Sequence, residues 1–435
     1  SEETNALVTT GRGAQRTPNV RATVQEIYDG LEVFSQNRWP TLAFDVLGLN
    51  DVVSPFLGAG FYYKTFMRPR WFWHNVYQKV LRKFAPGGRI HWETSTHGAY
   101  DKRYAHPDVL VAGGGPAGMG AAIAAAEAGA SVMLVEHEPE LGGHLRWGGA
   151  DDLAAIAELV SAVESHPSIE VLTDSTVTGR YDHNWIAVMQ RSHEIAPERL
   201  IKARAASLVV APGLIERPYI FAGNDTPGVM LSGAVRRLIN LWAVKPGTKA
   251  VVLSANPEGE AVLADLESAG VEIVAALDVW AGEDVVEVEG KGRVAKVVLG
   301  DGRTVSADLV VVGTGWTAPT SLLNMAGDRP VYDPSAARYF SNHLPDNVLA
   351  TGGITGNGTT AELIAHGRAT GSLAASRALR SRHDRRVLAS RARNPEGPKP
   401  ESLQDTRVPL ARVPHPECYR SSTHGMVDLS EDVSS

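Results

Sequence analysis

Three features of the chain predict an α/β fold of doubly wound parallel sheets, preceded by an irregular, aromatic-rich N-terminal segment. A short apolar run, a glycine turn, an alanine-rich helix and a second apolar run follow one another in "DVLVAGGGPAGMGAAIAAAEAGASVMLVE". The same β-α-β order returns in "KAVVLSANPEGEAVLADLESAGVEIVAALD". A glycine-ended strand and a long helix, "NVLATGGITGNGTTAELIAHGRATGSLAASRAL", close the regular part. Strands buried on both faces read as continuous apolar runs, and strands alternating with helices build parallel sheets.

The bulk composition bounds the function classes. At 435 residues the chain is long enough for roughly two to three domains, each with its own core. A hydrophobic share of 43% and a charged share of 21% are ordinary for a globular protein. The net charge of −7 gives no reason to expect a nucleic-acid partner. The basic run "SRALRSRHDRRVLASRAR" fits a solvated helix end. Cys418 is the single cysteine, so an internal disulfide, a CxxC redox centre and an iron–sulfur site are excluded. No apolar run approaches the roughly 20 residues that span a bilayer, and no leader-like segment opens the chain. The expectation is a cytoplasmic protein without membrane contact. The opening "SEETNALVTTGRG" and the closing "HGMVDLSEDVSS" suggest a piece of a longer protein.

Taken in order, residues 1–100 hold four of the nine tryptophans, with glycine and proline interrupting every periodic run. Irregular segments and short helices are expected there. The stretch "GFYYKTFMRPRWFWHNVY", with Lys64 and Trp71, is a candidate partner-facing surface, since aromatics and arginine are enriched at such contacts. Residues 101–235 and 300–385 are expected to form one dinucleotide-binding domain. "DDLAAIAELVSAVESH" reads as an amphipathic helix and "IEVLTDSTVTGRYDHNWIAVMQR" as a small antiparallel layer. Residues 236–299 hold the second β-α-β unit, expected as an inserted domain. A hairpin with "GDG" at its turn follows. From 386 to 435 the chain reads as a linker and the start of a further domain.

The first β-α-β unit carries the chemistry. Gly113, Gly115 and Gly118 form G-x-G-x-x-G, with Pro116 and Ala117 opening the helix. That spacing gives a tight turn, lets backbone approach a pyrophosphate and packs the helix on the strand, so that helix N–H groups face the phosphates. Glu136 ends the second strand, where a carboxylate accepts hydrogen bonds from a ribose diol and repels a 2′-phosphate. No arginine stands in "EHEPE" or near it in sequence, so the site is expected to prefer NAD or FAD over NADP. Gly142 and Gly143 add the E-x5-GG extension of two-dinucleotide-binding flavoproteins of the FAD/NAD(P)-binding type. "VVAPGLIERP", with Gly213, resembles the next signature strand of that superfamily.

Two departures weaken a flavin reading. The final strand of the FAD members ends in Gly-Asp, whereas here it ends in Gly352 and Gly353, and the next acidic residue is Glu362 inside the following helix. The second unit has Ser254 and Asn256 where the first two glycines belong, and keeps only Gly259. No nucleophile–base pair or metal-spaced histidine cluster stands out, so no catalytic residue and no metal ligand is assigned.

Over nearly its whole length the chain resembles the alpha subunit of heterotetrameric sarcosine oxidase. The resemblance rests on "YDGLEVFSQNRWPTLAFDV", "SPFLGAGFYYKTFMRPRWFWHNVYQKVLRK", "VAGGGPAGMGAA", "GRYDHNWIAVMQR", "APGLIERPYIFAGNDTPGVML" and "VDLSEDVSS". It implies the middle part of a three-part subunit, between a ferredoxin-like domain and a folate-binding domain. It further implies NAD in this chain, FMN at the contact with a beta subunit, and FAD in that beta subunit. Smaller subunits complete the complex, which demethylates sarcosine, an N-methyl amino acid, and passes formaldehyde to folate. Gly113, Gly115, Gly118, Glu136, Gly142 and Gly143 carry over as NAD contacts. The related subunit of N-methylglutamate dehydrogenase is an alternative. So is a self-sufficient NADH-dependent FAD oxidoreductase, which needs two working sites.

Overall fold

The computed structural model describes residues 7–12, 16–22, 25, 27–36, 38–41, 44–46, 69–79, 88, 100–191, 196, 198–334 and 336–389. Lys64, Cys418, most of the aromatic stretch before residue 69 and the linker beyond 389 lie outside the described residues. The chain divides into two compact units, whose described residues fall within the first 98 residues and within Ala99–Glu431.

In the first unit, β1 (Leu7–Thr10), β2 (Thr17–Arg21) and β3 (Val33–Ser35) form an antiparallel sheet in the order β2-β1-β3. The sequence pattern, broken by glycine and proline, had pointed to short helices here. The strands form because their polar groups pair locally. Gln36 Oε1 accepts from Thr9 Oγ1 and from Asn19 N, both at 2.8 Å. A helical segment follows over Arg70–Phe72 and Trp73–Tyr77, with Trp71 62% exposed and Tyr77 buried.

The second unit opens with β4 (Tyr100–Ala105) and β5 (Val109–Ala112), then α1 (Pro116–Glu127), β6 (Val132–Val135), α2 (Ala150–Ser165) and β7 (Ile169–Leu172). Next come β8 (Ser175–Tyr181), β9 (Trp185–Arg191), β10 (Glu198–Arg204), β11 (Ser207–Val210) and β12 (Ile215–Glu216). Then β13 (Val229–Leu231), α3 (Ser232–Trp242), β14 (Lys249–Ser254), α4 (Pro257–Ser268) and β15 (Glu272–Asp278) follow. The hairpin strands β16 (Val285–Glu289), β17 (Lys296–Leu299) and β18 (Thr304–Ser306) precede β19 (Leu309–Gly313) and β20 (Trp316–Thr317). The last elements are α5 (Ser321–Met325), β21 (Val331–Asp333), β22 (Arg338–Phe340), β23 (Val348–Ala350) and α6 (Thr360–Ala389).

Two parallel sheets organise this unit, as the fold class predicts. The first has the order β23-β11-β5-β6-β7, and an apolar cluster lies on each of its faces. The second has the order β13-β19-β14-β15, again covered on both faces. A four-stranded layer, β4-β10-β9-β8, packs beside the first sheet. Ile169–Leu172, read from its alternation as part of that layer, instead pairs with β6 in the parallel sheet.

The second sheet also reaches beyond the 236–299 expected from sequence. β13 and β19 flank that segment, and β19 pairs with β14 from Ala250↔Leu309 to Ser254↔Gly313. The fully buried β19 needs neighbours on both sides, which a sheet made only from 236–299 does not supply. The short antiparallel pair β12–β20 stands where the chain passes between the two sheets.

Helix α1 is alanine-rich because it has no outward face. Every residue from Pro116 to Ala126 is buried, between the sheet and α6. The approach of α6 is close: a Cβ on Gly371 would lie 2.0 Å from Ala121 O, and one on Gly367 2.1 Å from Ala117 O. Gly129, at φ +88°, ends α1 as the sequence predicts. Among the described residues no helix is long and apolar enough to cross a membrane.

Candidate functional site

The first β-α-β unit builds a cradle at the C-terminal edge of the first sheet. After β5 the chain turns at Gly113, φ +116°, where a Cβ would lie 2.1 Å from Ala211 O. A Cβ on Gly118 would lie 1.8 Å from Gly113 O, so strand, turn and helix form one close-packed piece. Gly115 is the N-cap of α1, Pro116 occupies its first turn, and no side chain caps the helix. The first-turn N–H groups, including those of Ala117 and Gly118, therefore face out from the positive end of a twelve-residue dipole.

The other glycines predicted for the site gather around this helix start. Gly142 N donates to Gly114 O at 2.9 Å, and a Cβ on Gly143 would lie 3.0 Å from Gly115 Cα. A Cβ on Gly352 would meet that of Ala117 at 3.1 Å, and one on Gly353 would meet Leu214, the neighbour of Gly213, at 3.0 Å. Positions far apart in sequence thus share one concave end of the sheet.

Glu136 is 4% exposed. Its carboxylate accepts from Gly114 N at 2.6 Å, from Glu138 N at 2.9 Å and from His137 Nδ1 at 2.9 Å. Burial opposes its charge, but the bonds from His137 and the two backbone amides prevail and hold the carboxyl below its usual range. It is ionised at neutral pH, with one lone-pair position on Oε2 left for a ribose hydroxyl.

The surroundings of Glu136 carry a correction. The sequence offers no nearby arginine, yet the fold brings two to the next carboxylate. Arg237 Nη2, from α3 of the second sheet, donates to Glu138 Oε1 at 2.8 Å. Arg146 pairs with Glu140 at 2.7 Å and lies 3.9 Å from Glu138. Arg237 also stacks over Trp147, 5.0 Å from its ring centroid, while Arg236 and Asn240 donate to Trp147 O. Arg146 stands only six residues after Glu140, but Arg236, Arg237 and Asn240 come from a helix about a hundred residues further along, which no local pattern reveals.

His137, although two-thirds exposed, lies between the carboxylates of Glu136 and Glu138, which push its pKa up to about 9. Its hydrogen bond, working against burial, brings the Glu138 carboxyl down to about 2. A raised histidine contributes stability that is complete below its unfolded value and lost as pH rises through 9. A lowered glutamate contributes stability that is complete above its unfolded value and lost as pH falls through 2. With ordinary values of 6.5 and 4.5, both contributions are complete between these two pH values. Urea melts of the wild type and of His137→Gln are expected to converge as pH rises from 6.5 towards 9. A constant difference across that range would show that His137 carries no charge there.

The second unit repeats the geometry without the opening. Gly259 keeps the helix on its strand, a Cβ there lying 2.6 Å from Ser254 Oγ. The N-terminus of α4, however, is already filled, because Asn256 Oδ1 accepts from Gly259 N at 3.0 Å. Trp280 Nε1 donates to Ala255 O at 3.0 Å, which ties the indole to the same loop. At the far end of the first site, Glu362 is also committed: it accepts from Thr359 N at 2.8 Å in a capping box that starts α6.

A half-buried carboxyl was not anticipated. Glu216, in β12 between the two sheets, accepts from Gly233 N at 2.8 Å and from Ser232 Oγ at the start of α3. Burial pushes its pKa up to about 7. Its apolar setting in "GLIERPY" was the available signal.

Fold and site together define an α/β protein of the FAD/NAD(P)-binding class. The family model for FAD dependent oxidoreductases matches residues 108–200, the stretch that carries the first site. Within that class the resemblance to sarcosine oxidase alpha subunits is borne out. The chain is 37% identical to "Sarcosine oxidase subunit alpha" of Rhizobium meliloti (strain 1021), over 84% of its own length and 40% of the relative's. It is 31% identical to the subunit of the same name from Corynebacterium sp. (strain P-1), over 64% of its own length and 33% of the relative's. The chain thus spans well under half of either relative. Among solved structures, L-proline dehydrogenase from P. horikoshii superposes with a TM-score of 0.54 at 21% identity, covering 65% of this chain and 57% of that one, a likeness of fold.

Proposed function

We propose that this chain is the NAD-holding part of the alpha subunit of a heteromeric sarcosine oxidase. The observation that carries the reading is the contrast between the two β-α-β units. In the first, an uncapped helix N-terminus stands beside a buried, ionised Glu136. In the second, the matching helix is capped by Asn256. The residues of the first site fit a dinucleotide. Gly115 leaves room at the helix start for a pyrophosphate, the first-turn amides supply donors, and Glu136 supplies an acceptor for the adenosine ribose.

NAD over FAD is favoured by the loop after β23. Gly352 lies against Ala117 and Gly353 against Leu214, so no carboxylate stands where a flavin ribityl chain would be gripped. Bound there, a nicotinamide dinucleotide would supply a hydride acceptor or serve as a fixed structural group. The chain's own part is to bind and orient it and to hold Glu136 charged. In this reading amine oxidation belongs to a beta subunit that carries FAD, with FMN at the contact and smaller subunits alongside. The substrate is an N-methyl amino acid, folate takes up the released one-carbon unit, and the location is cytoplasmic. The resemblance of the whole chain to sarcosine oxidase alpha subunits supports this division of labour.

The matched FAD-dependent oxidoreductase model favours a second reading, in which the chain binds FAD. Mass spectrometry of the nucleotide released on denaturing the purified chain separates the two. NAD is expected. Stoichiometric FAD would overturn the proposal in favour of a flavin-binding subunit.

A further inference from the structure

We propose that Glu138 is a specificity-determining residue of the dinucleotide site. It occupies His137 and Arg237, cations that would otherwise bind a 2′-phosphate, and so keeps the site for dinucleotides with a free ribose diol. This rests on the reading of Gly113–Glu136 as the adenosine end of the site.

A single carboxylate at the end of the second strand discriminates poorly if cations stand beside it, because the local balance of charge decides. Here the balance is struck through Glu138. The His137 ring spans two carboxylates, with Nδ1 2.9 Å from Glu136 Oε1 and Nε2 3.3 Å from Glu138 Oε1. Arg237 Nη2 reaches that same Glu138 oxygen at 2.8 Å. Arg146 is held mainly by Glu140 at 2.7 Å and touches the outer edge of the group. Glu136, Glu138 and Glu140 thus offset His137, Arg146 and Arg237. A guanidinium fork and an imidazolium are the groups that recognise a phosphate monoester; here the imidazole bonds the ribose acceptor Glu136 itself and the guanidinium bonds Glu138, two residues beyond it. The Arg237 side chain is 38% exposed and that of His137 68%, so a phosphate entering from solvent could reach them once Glu138 released them. Trp147 lies under Arg237, its ring centroid 5.0 Å from the guanidinium carbon, a contact that does not involve Glu138.

The test uses the full chain, stripped of bound nucleotide and titrated by calorimetry with ADP-ribose and with 2′-phospho-ADP-ribose. These probes report the adenosine half whether the natural ligand is NAD or FAD. The wild type is expected to bind ADP-ribose at least about tenfold more tightly than its phosphorylated counterpart. Glu138→Gln should tighten binding of the phosphorylated probe by about tenfold or more, the scale of one charge-assisted contact, while ADP-ribose affinity stays within about threefold. Adding Arg237→Ala to that variant should remove the gain, and Arg237→Ala alone should widen the discrimination. Normal ADP-ribose binding by Glu138→Gln without any gain for the phosphorylated probe would overturn the inference and leave the site reading standing. So would a gain that survives Arg237→Ala. Loss of both probes in Glu138→Gln alone would make Glu138 a support of the loop and overturn it as well. A wild type that binds neither probe would overturn inference and reading together.

Discussion

Gly118→Ala is expected to abolish dinucleotide binding and to cost about 3 kcal/mol of stability, the upper end of what overpacking a tight interior costs. The added methyl would stand 1.8 Å from Gly113 O, a backbone atom that cannot rotate away. Helix α1 would have to back off from β5, and its first-turn amides would leave the place where a pyrophosphate fits. Retreat is blocked on the other side, because α6 already touches α1 through Gly367 and Gly371. Gly129→Ala is the control: it has φ +88° and open space around it, so it should cost about 1 kcal/mol and leave binding unchanged. Urea melts and titration with NAD check both variants. Normal NAD affinity in Gly118→Ala would place the nucleotide elsewhere on the chain.

Glu136→Ala is expected to weaken NAD binding by about tenfold to a hundredfold, the worth of a charge-assisted hydrogen bond to a ribose hydroxyl. The structure adds a second consequence. Gly114 N and Glu138 N would lose their acceptor in a buried setting, at a cost of about 1–3 kcal/mol in stability. Glu136→Gln keeps one acceptor oxygen but turns an N–H₂ towards those amides, so its affinity should fall between wild type and alanine. Calorimetric titration and urea melts on the same three proteins separate the two effects. An alanine variant with wild-type affinity would remove Glu136 from the ribose site.

The parts legible in the sequence are those fixed by local geometry. The glycine spacing from Gly113 to Gly118, the strand after it and the position of Glu136 follow from one β-α-β unit. Such a unit has few ways to pack its helix on its strands. Asn256 was legible as an obstruction, and its physical form, a helix cap, is what its residue type favours. What stayed hidden depends on tertiary approach. Arg237 meets Glu138 only because α3 of the second sheet lies over the loop after β6, and periodicity says nothing of that. The edge of the second sheet was misplaced for a related reason. Leu309–Gly313 is equally apolar whichever sheet it joins, and only its pairing with β14 decides. Ile169–Leu172 misled because its alternation imitates a half-exposed strand, while its place at the edge of the parallel sheet leaves it partly covered.

The seam between α1 and α6 also sets an order of assembly. Ala117 and Gly367, which touch, are 250 residues apart, and β23 reaches its place beside β11 only after the entire second sheet has been made. The strands of that second sheet, by contrast, all lie between Val229 and Gly313 and can close on one another early. Closing a long loop costs entropy before its contacts repay it, so the distant pairing is the slow one. During refolding, amides of β14 should gain protection from hydrogen exchange before those of β23, and the reverse order would disprove this. On a growing chain the glycine-lined cradle at the start of α1 is therefore completed only when β23 and α6 have joined it, well after the second sheet can close.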